Sequence, residues 1–374
     1  MIRADPSNFV QTPIRVTLVT MDTHLASAAH KAYAKLRRKI EGLTFSIHAA
    51  SEWSKSADRV EACIQDIEAA DIVIVTMLFL EDHFQPILPA LEARRDRCDV
   101  MVCAMSAPEV VKLTKMRQFD MAKPATGIMG LLKRMRGKGK TQTGGAAQMR
   151  MLRRLPRILK YIPGTAQDAR AYFLTLQYWL GGSEENIRHM IAFLIERYAA
   201  GPREKLKTGK AVPEPVDYPD VGVYHPAMKG RFSEKLTDLP KTLKRSERRG
   251  RVGLLLLRSY LLAGNAAHYD GVIAALEAKG LEVVPAFASG LDARPAIEKF
   301  FIEDGETTVD ALVSLTGFSL VGGPAYNDAK AAEEVLATLD VPYLTAHPVE
   351  FQTLDEWGGS DRGLSPVEST IMVA

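Results

Sequence analysis

The densest grouping of residues able to do chemistry follows the apolar run Val252–Leu257: Arg258, Ser259, Tyr260, Asn265 and His268. Thr316, Gly317 and Phe318 follow Val309–Leu315 and lead to Gly322-Gly323-Pro324. His347 and Pro348 follow Pro342–Thr345. Arginine offers a rigid fork of donors, imidazoles gain and lose protons near neutral pH, and Tyr, Asn and Thr add hydrogen-bonding groups. A cleft with Arg258, Tyr260, Asn265, His268, Thr316 and His347 on small flexible loops can hold an anionic or planar ligand. A plainer reading stands beside it: His268 as a first-turn helix residue and His347 as a loop residue, neither with a ligand.

Familiar catalytic motifs fit poorly. Gly139-Lys140-Thr141 resembles the end of a phosphate loop, but the required glycine five positions earlier is replaced by Arg134, in a basic stretch rather than after a strand. No G-x-G-x-x-G opens either α/β region, which argues against a dinucleotide site. Gly317-Phe318-Ser319-Leu320-Val321 lacks the second glycine of a nucleophile elbow. H-E-x-x-H and C-x-x-C are both absent, and Cys63, Cys98 and Cys103 read as reduced thiols rather than a disulfide framework or a zinc site. No catalytic set or metal ligand emerges.

Apolar runs and their spacing indicate what must position these groups. Ile14–Thr20, Leu43–Ala49, Asp71–Thr76 and Asp99–Cys103 read as strands. Helices alternate with them: one capped by Asp22–Thr23 and running to about Ile40, then Ala57–Ala69, Phe84–Arg95 and one from Pro108. The pattern restarts at Arg251, with strands Val252–Leu257, Leu281–Phe287, Val309–Leu315 and Pro342–Thr345 and helices Ala267–Lys279, Arg294–Phe301 and Asp328–Leu339. Continuous apolar strands alternating with helices predict doubly wound parallel sheets, buried on both faces.

The expected architecture is α/β: two doubly wound parallel-sheet units, Rossmann- or flavodoxin-like, joined by helices and an extended linker. An N-terminal α/β domain covers residues 10–120. A basic mobile loop and short helix cover 121–165, a helical segment 166–200, an extended linker 201–250 and a second α/β unit 251–374. Met121–Lys160 carries many Lys and Arg and no Asp or Glu. It can meet phosphates or an acidic partner, although a solvated loop is the simpler reading. With Tyr161 alone nearby, the aromatic interleaving of a nucleic-acid surface is missing.

At 374 residues the chain is long enough for two domains, and a net charge of +3 does not by itself call for nucleic acid or membrane as partner. The polar N-terminus lacks an apolar core, and no apolar window is long enough to span a bilayer, so the expected location is cytoplasmic. Ser369–Ala374 shows no polar tail, and the chain is expected to stop inside a domain.

The second unit, RVGLLLLRSYLLAGNAAHYDGVIAALEAKGLEVVPAFASGLD and then ALVSLTGFSLVGGPAYNDAKAAEEVLATLDVPYLTAHPVEF, resembles the large subunits of magnesium chelatase and cobaltochelatase. The first unit, from IRVTLVTMDTHL through VTMLFLEDHFQPILPAL to MVCAMSAPEVVKLTKM, is similar to the N-terminal domain of the magnesium branch. The resemblance covers nearly the whole chain. It implies the N-terminal portion of a porphyrin-binding subunit, with 251–374 as the first α/β unit of the chelatase domain. Mg2+ and protoporphyrin IX are the implied substrates. ATP would be hydrolysed by a partner, the implied partners being an AAA+ ATPase subunit and its associated subunit, on the route to chlorophyll or bacteriochlorophyll. Family members are several times longer, and their metal-insertion residues lie later, so none transfers to a position here and this chain alone is expected to be inactive. The alternatives are a cobaltochelatase large subunit and a non-catalytic module that binds a tetrapyrrole or docks subunits.

Overall fold

A computed structural model describes residues 13–21, 23–123, 154–244, 246–323, 326–349 and 351–373. Two compact units divide the chain, Met1–Val216 and Asp217–Ala374. The expected α/β architecture is observed in both.

The first unit runs β1 (Ile14–Thr20), α1 (Ala26–Leu36), β2 (Leu43–Ala49), α2 (Ala57–Ala69), β3 (Ile72–Thr76), α3 (Glu81–Phe84), α4 (Leu88–Arg94), β4 (Val100–Ala104) and α5 (Pro108–Val111). β2, β1, β3 and β4 lie side by side in that order, all parallel. A short antiparallel pair, β5 (Lys115–Met116) and β6 (Phe119–Asp120), extends the sheet beyond β4. β3 and β4 are buried along their whole length, which is why their sequences are apolar without alternation. On one face Val19, Val73, Val75, Met101 and Cys103 pack with Cys63 and Ile67 of α2 and Leu91 of α4. Burial there pushes the Cys63 thiol up to about 12, and Cys63, Cys98 and Cys103 are all free. Two helices follow, α6 (Thr165–Gly181) and α7 (Glu184–Tyr198). Ser183 caps α7, accepting a hydrogen bond from Asn186 N at 3.2 Å, and α1 packs against α7.

Three expectations change here. The first helix begins at Ala26, and the residue preceding it, Leu25, provides no side-chain cap; Asp22 lies outside the described residues. The expected Phe84–Arg95 helix is two helices, because Pro86 cannot supply a backbone N–H and Pro89 suits the start of a new first turn. The β5–β6 hairpin was not expected: its strands are too short to show a period, and Arg117 turns the chain at φ +52°. Most of the expected basic loop, including Gly139-Lys140-Thr141, lies outside the described residues.

The expected linker over 201–250 is mostly irregular, but its described residues contain two short strands and two short helical turns. Arg203 pairs bidentately with Asp99 (2.7 and 2.9 Å) and reaches Asp71 at 3.2 Å, holding its segment to the first unit. Beyond Val216, β7 (Val221–Tyr224) and β8 (Phe232–Ser233) are antiparallel members of the second sheet. The strand was not legible because the surrounding Pro, Lys and Asp obscure four residues, of which Val223 and Tyr224 are fully buried.

The second unit continues with β9 (Gly250–Leu257), α8 (Arg258–Ala263), α9 (Ala267–Glu277), β10 (Leu281–Ala288) and α10 (Arg294–Phe300). Two small hairpins, β11 (Ile302–Glu303) with β12 (Glu306–Thr307) and β14 (Gly322–Gly323) with β15 (Tyr326–Asn327), flank β13 (Ala311–Ser314). α11 (Ala329–Leu339), β16 (Tyr343–Thr345), α12 (Leu354–Gly358) and α13 (Pro366–Val373) complete it. The sheet order is β16-β13-β9-β10-β7-β8, with β16, β13, β9 and β10 parallel. Two cores cover its faces, one around Leu255, Phe300 and Phe301, the other around Leu254, Tyr269 and Phe287.

Candidate ligand site at the second switch point

The chain lays β10 on one side of β9 and then crosses to place β13 on the other. The connections leaving the carboxyl ends of β9 and β13 therefore diverge, and a crevice opens between them, where open α/β sheets bind ligands. A cavity lies there, with about 320 Å³ of empty space including its open mouth. Only about 20 Å³ of it is enclosed, room for about one water molecule, so the feature is a shallow crevice rather than a deep pocket. Leu256, Leu257, Leu291, Asp292, Thr316 and Phe318 are among its lining residues.

Of the residues selected from sequence, Thr316 lines this cavity. Its hydroxyl lies 3.1 Å from Ser314 Oγ and 3.3 Å from both the carbonyl oxygen and the amide nitrogen of Phe318, so it braces its own loop. His347 follows the neighbouring strand end, and its Nδ1 is buried with no hydrogen-bond partner among the described residues. The adjacent Pro348 packs over Gly317, where an added Cβ would lie 3.5 Å from the proline ring.

Of the remaining candidates, Arg258 and Tyr260 lie on α8, Asn265 follows it, and His268 lies in the first turn of α9. Tyr260 and His268 meet edge to face, with ring centroids 5.7 Å apart, and His268 lies 3.9 Å from the ring of buried Tyr269. Partial burial pulls the His268 pKa below its ordinary value, with Asp270 opposing the shift. Arg258 donates from Nε to Pro219 O (2.7 Å) and from Nη2 to Tyr218 O (2.9 Å). These bonds anchor the chain leading into β7. Asn265 is exposed, and its backbone N–H donates to Tyr260 O at 2.9 Å. Of the six expected cleft residues, Thr316 and His347 follow the ends of adjacent strands, Tyr260 and His268 meet edge to face, and Arg258 donates to backbone carbonyls. The expected loop at Arg258 is the helix α8, ended by Gly264 at φ +71°.

The end of β10 was overlooked in the sequence. Leu291 and Asp292 line the cavity, and Ser289-Gly290 after an apolar strand was the available signal. Asp292 accepts from Arg294 Nε (3.0 Å) and Nη2 (2.7 Å), which raises the Arg294 pKa and leaves the carboxylate already paired. The lining is mainly apolar with few polar points, which suits holding a flat apolar ligand better than moving its protons. Among the described residues no three His, Cys, Asp or Glu side chains are grouped to hold a metal ion.

Residues 176–374, more than half of the chain, match the family described as CobN/Magnesium Chelatase. The chain belongs to the CobN/magnesium chelatase family. Residues 15–173 match a second description, Domain of unknown function (DUF3479). The magnesium-chelatase H subunit of Cereibacter sphaeroides is 51% identical over 360 residues, covering 96% of this chain and 30% of that protein. The Rhodobacter capsulatus protein of the same name is 48% identical, covering 96% and 29%. The chloroplastic magnesium-chelatase protein ChlH of Oryza sativa subsp. indica is 33% identical over 380 residues, covering 96% and 27%. The chain therefore spans under a third of the length of these relatives. A solved structure, the catalytic subunit of cobaltochelatase from Mycobacterium tuberculosis, is 19% identical, covers 97% of this chain and 24% of that one, and has a TM-score of 0.47. Among the described residues of this family member, no helix is long and apolar enough to cross a membrane.

Proposed function

We propose that this chain is the N-terminal part of the porphyrin-binding subunit of a magnesium chelatase. That complex inserts Mg2+ into protoporphyrin IX while an AAA+ ATPase subunit and its associated subunit supply ATP hydrolysis, in chlorophyll or bacteriochlorophyll formation. One observation carries the reading: 51% identity to a magnesium-chelatase H subunit runs through both units.

The chemistry explains why such a segment needs the rest of a complex. Mg2+ gives up its water shell reluctantly and prefers octahedral oxygen ligands. Porphyrin presents four nitrogens, two of them protonated. Insertion needs bases for those protons and oxygen ligands to strip water. The cavity at the second switch point supplies neither, since Asp292 is already paired to Arg294. Its part is to hold apolar surface, with Leu256, Leu257 and Phe318 as contacts and Thr316 as a polar stop. The Tyr260–His268 pair offers a stacking face beside it in sequence.

Titration of the chain with deuteroporphyrin IX, followed at the Soret band, tests the binding role. The expected result is a shift with quenching, weakened about tenfold or more in His268→Ala. Unchanged affinity removes His268 from the site, and absence of any shift overturns porphyrin binding by this segment. Mg2+ insertion assayed with the partner subunits is expected to fail with this chain and succeed with the full-length protein. Insertion by the chain itself would show that its active site is complete.

The mainly apolar, proton-inert lining also favours a second reading, a non-catalytic module that binds a tetrapyrrole or docks subunits. Porphyrin binding that survives when insertion by the full-length protein tolerates loss of this segment would select it. A cobaltochelatase large subunit is disfavoured by the first unit, which runs through the magnesium-chelatase relatives.

A further inference from the structure

The first unit has its own switch point, between β1 and β3, and two polar groups there have no partner among the described residues. Thr20 ends β1 and Thr76 ends β3, and they are 1% and 2% exposed. Among the described residues neither Oγ1 has a hydrogen-bond partner. A buried hydroxyl without a partner costs free energy, so a pair of them at one place asks for an occupant.

Strand geometry puts the two side by side. Val19 and Val75 are register partners, so Thr20 and Thr76 follow on adjacent strands, about 5 Å apart at Cα. Val19, Val73 and Val75 belong to the core under α2 and α4. Side chains alternate along a strand, so Thr20 and Thr76 face the opposite side. α1 belongs to that side: its buried Ala28, Ala29, Ala32 and Leu36 lie outside the α2–α4 core, and it packs on α7.

The surroundings suit an oxyanion. α1 starts directly after the β1 loop, has no side-chain cap at Leu25 and no acidic residue in its first turn. Its amino terminus therefore favours negative charge. The carboxylates of α3, Glu81 and Asp82, belong to a helix packed on the turn Ala50–Lys55, whose Ala50 and Trp53 lie in the opposite core. The β3 and β4 ends are tied together, Met77 N to Met105 O at 2.9 Å and Leu78 N to Ser106 Oγ at 3.1 Å. Met77 and Met105 both hold positive φ, +62° and +48°, an unusual backbone state that clusters at ligand sites. Beyond this fixed corner Phe79 and Leu80 stand 54% and 51% exposed, apolar surface on the loop that leaves Thr76. In sheets of order 2-1-3-4 the β1/β3 switch point is where a mononucleotide phosphate sits.

We propose that the β1/β3 crevice of the first unit binds a phosphate monoester with an apolar body. The hydroxyls of Thr20 and Thr76 donate to phosphate oxygens, the α1 amino terminus faces the same group, and Phe79 covers the apolar part.

Calorimetric titration of the 374-residue chain with phenyl phosphate, inorganic phosphate and phenol tests this. Phenyl phosphate is expected to bind, inorganic phosphate more weakly, and phenol not measurably. The double variant Thr20→Val/Thr76→Val is expected to weaken phenyl phosphate at least tenfold and to raise Tm, since valine keeps the shape and removes unpartnered hydroxyls. Thr20→Ser/Thr76→Ser is expected to keep binding. Absence of phenyl phosphate binding, equal binding of phenol, or an unchanged affinity in the valine variant overturns the proposal. So does a lowered Tm in that variant, which would mean that the hydroxyls are satisfied within the protein.

Discussion

In the first unit the antiparallel hairpin joins β4, the fourth strand of the 2-1-3-4 order; in the second it joins β10, the second strand. The consequences are visible in the strands themselves. β4, covered by β5, is buried throughout, whereas β16, its counterpart in order, is a partly exposed edge with Leu344 55% exposed. One parallel plan thus tolerates an added hairpin at either edge, and the choice decides which strand can be continuously apolar.

A closer correspondence lies at the amino ends. Asp71 precedes β3 and accepts from Arg15 N at 2.9 Å, while its own N–H donates to Arg15 O. Asp310, just before β13, makes the same exchange with Arg251, accepting at 2.7 Å. The difference is burial: Asp71 is 6% exposed and shared with Arg203, whereas Asp310 is exposed.

The largest expected effect breaks the buried member of that comparison. Arg203→Ala leaves the carboxylates of Asp71 and Asp99 buried without their main partner and should cost about 3–5 kcal/mol in urea unfolding. Asp310→Ala, losing one exposed backbone contact, should cost about 1 kcal/mol. Equal losses at the two sites would show that burial does not separate them.

Next comes the hairpin edge. A Cβ at Gly222 would lie 2.7 Å from Ser233 O and from the Phe287 ring, so Gly222→Ala must separate β7 from its neighbours. A cost of about 1–3 kcal/mol is expected, with amide exchange accelerated first in β7 and β8. Loss spread evenly over the second sheet would contradict a separable edge.

The smallest effect is acid sensitivity. Burial lowers the pKa of His83 and His189 in the first unit, and both have a buried Nδ1 with no partner among the described residues. A histidine whose folded pKa is depressed stabilises fully above its unfolded value, and that stability is lost as pH falls below about 6.5. Between pH 7.5 and 5.5 the first unit should lose more hydrogen-exchange protection than the second, whose His268 is more exposed. An opposite order would place the acid-sensitive group elsewhere.

Much of the fold is legible locally because a doubly buried strand must be apolar wherever it lies. Ile14–Thr20 has the expected bounds for that reason, while the half-buried edge strand Leu43–Ala49 and the helix Ala57–Ala69 were legible from their periodicity. β5–β6 and β7 escaped because two to four residues cannot display a period, and their burial comes from partners distant in sequence. The site was legible in part. Thr316 follows a recognisable strand end, whereas Leu291 and Asp292 become lining only when β10 is set beside β9.

Sequence alone determined the α/β class, the restart at Arg251 and the kinship of both units, since these depend on residue type and order along the chain. Tertiary structure decided the strand order, the edge that takes each hairpin, the bonds of Arg258 to the chain before β7, and the placement of Thr20 beside Thr76. An apolar run fits any central strand equally well, and only the packing of helices on both faces selects its neighbour. That selection leaves two threonine hydroxyls side by side at the switch point of the first sheet and a mainly apolar crevice at that of the second.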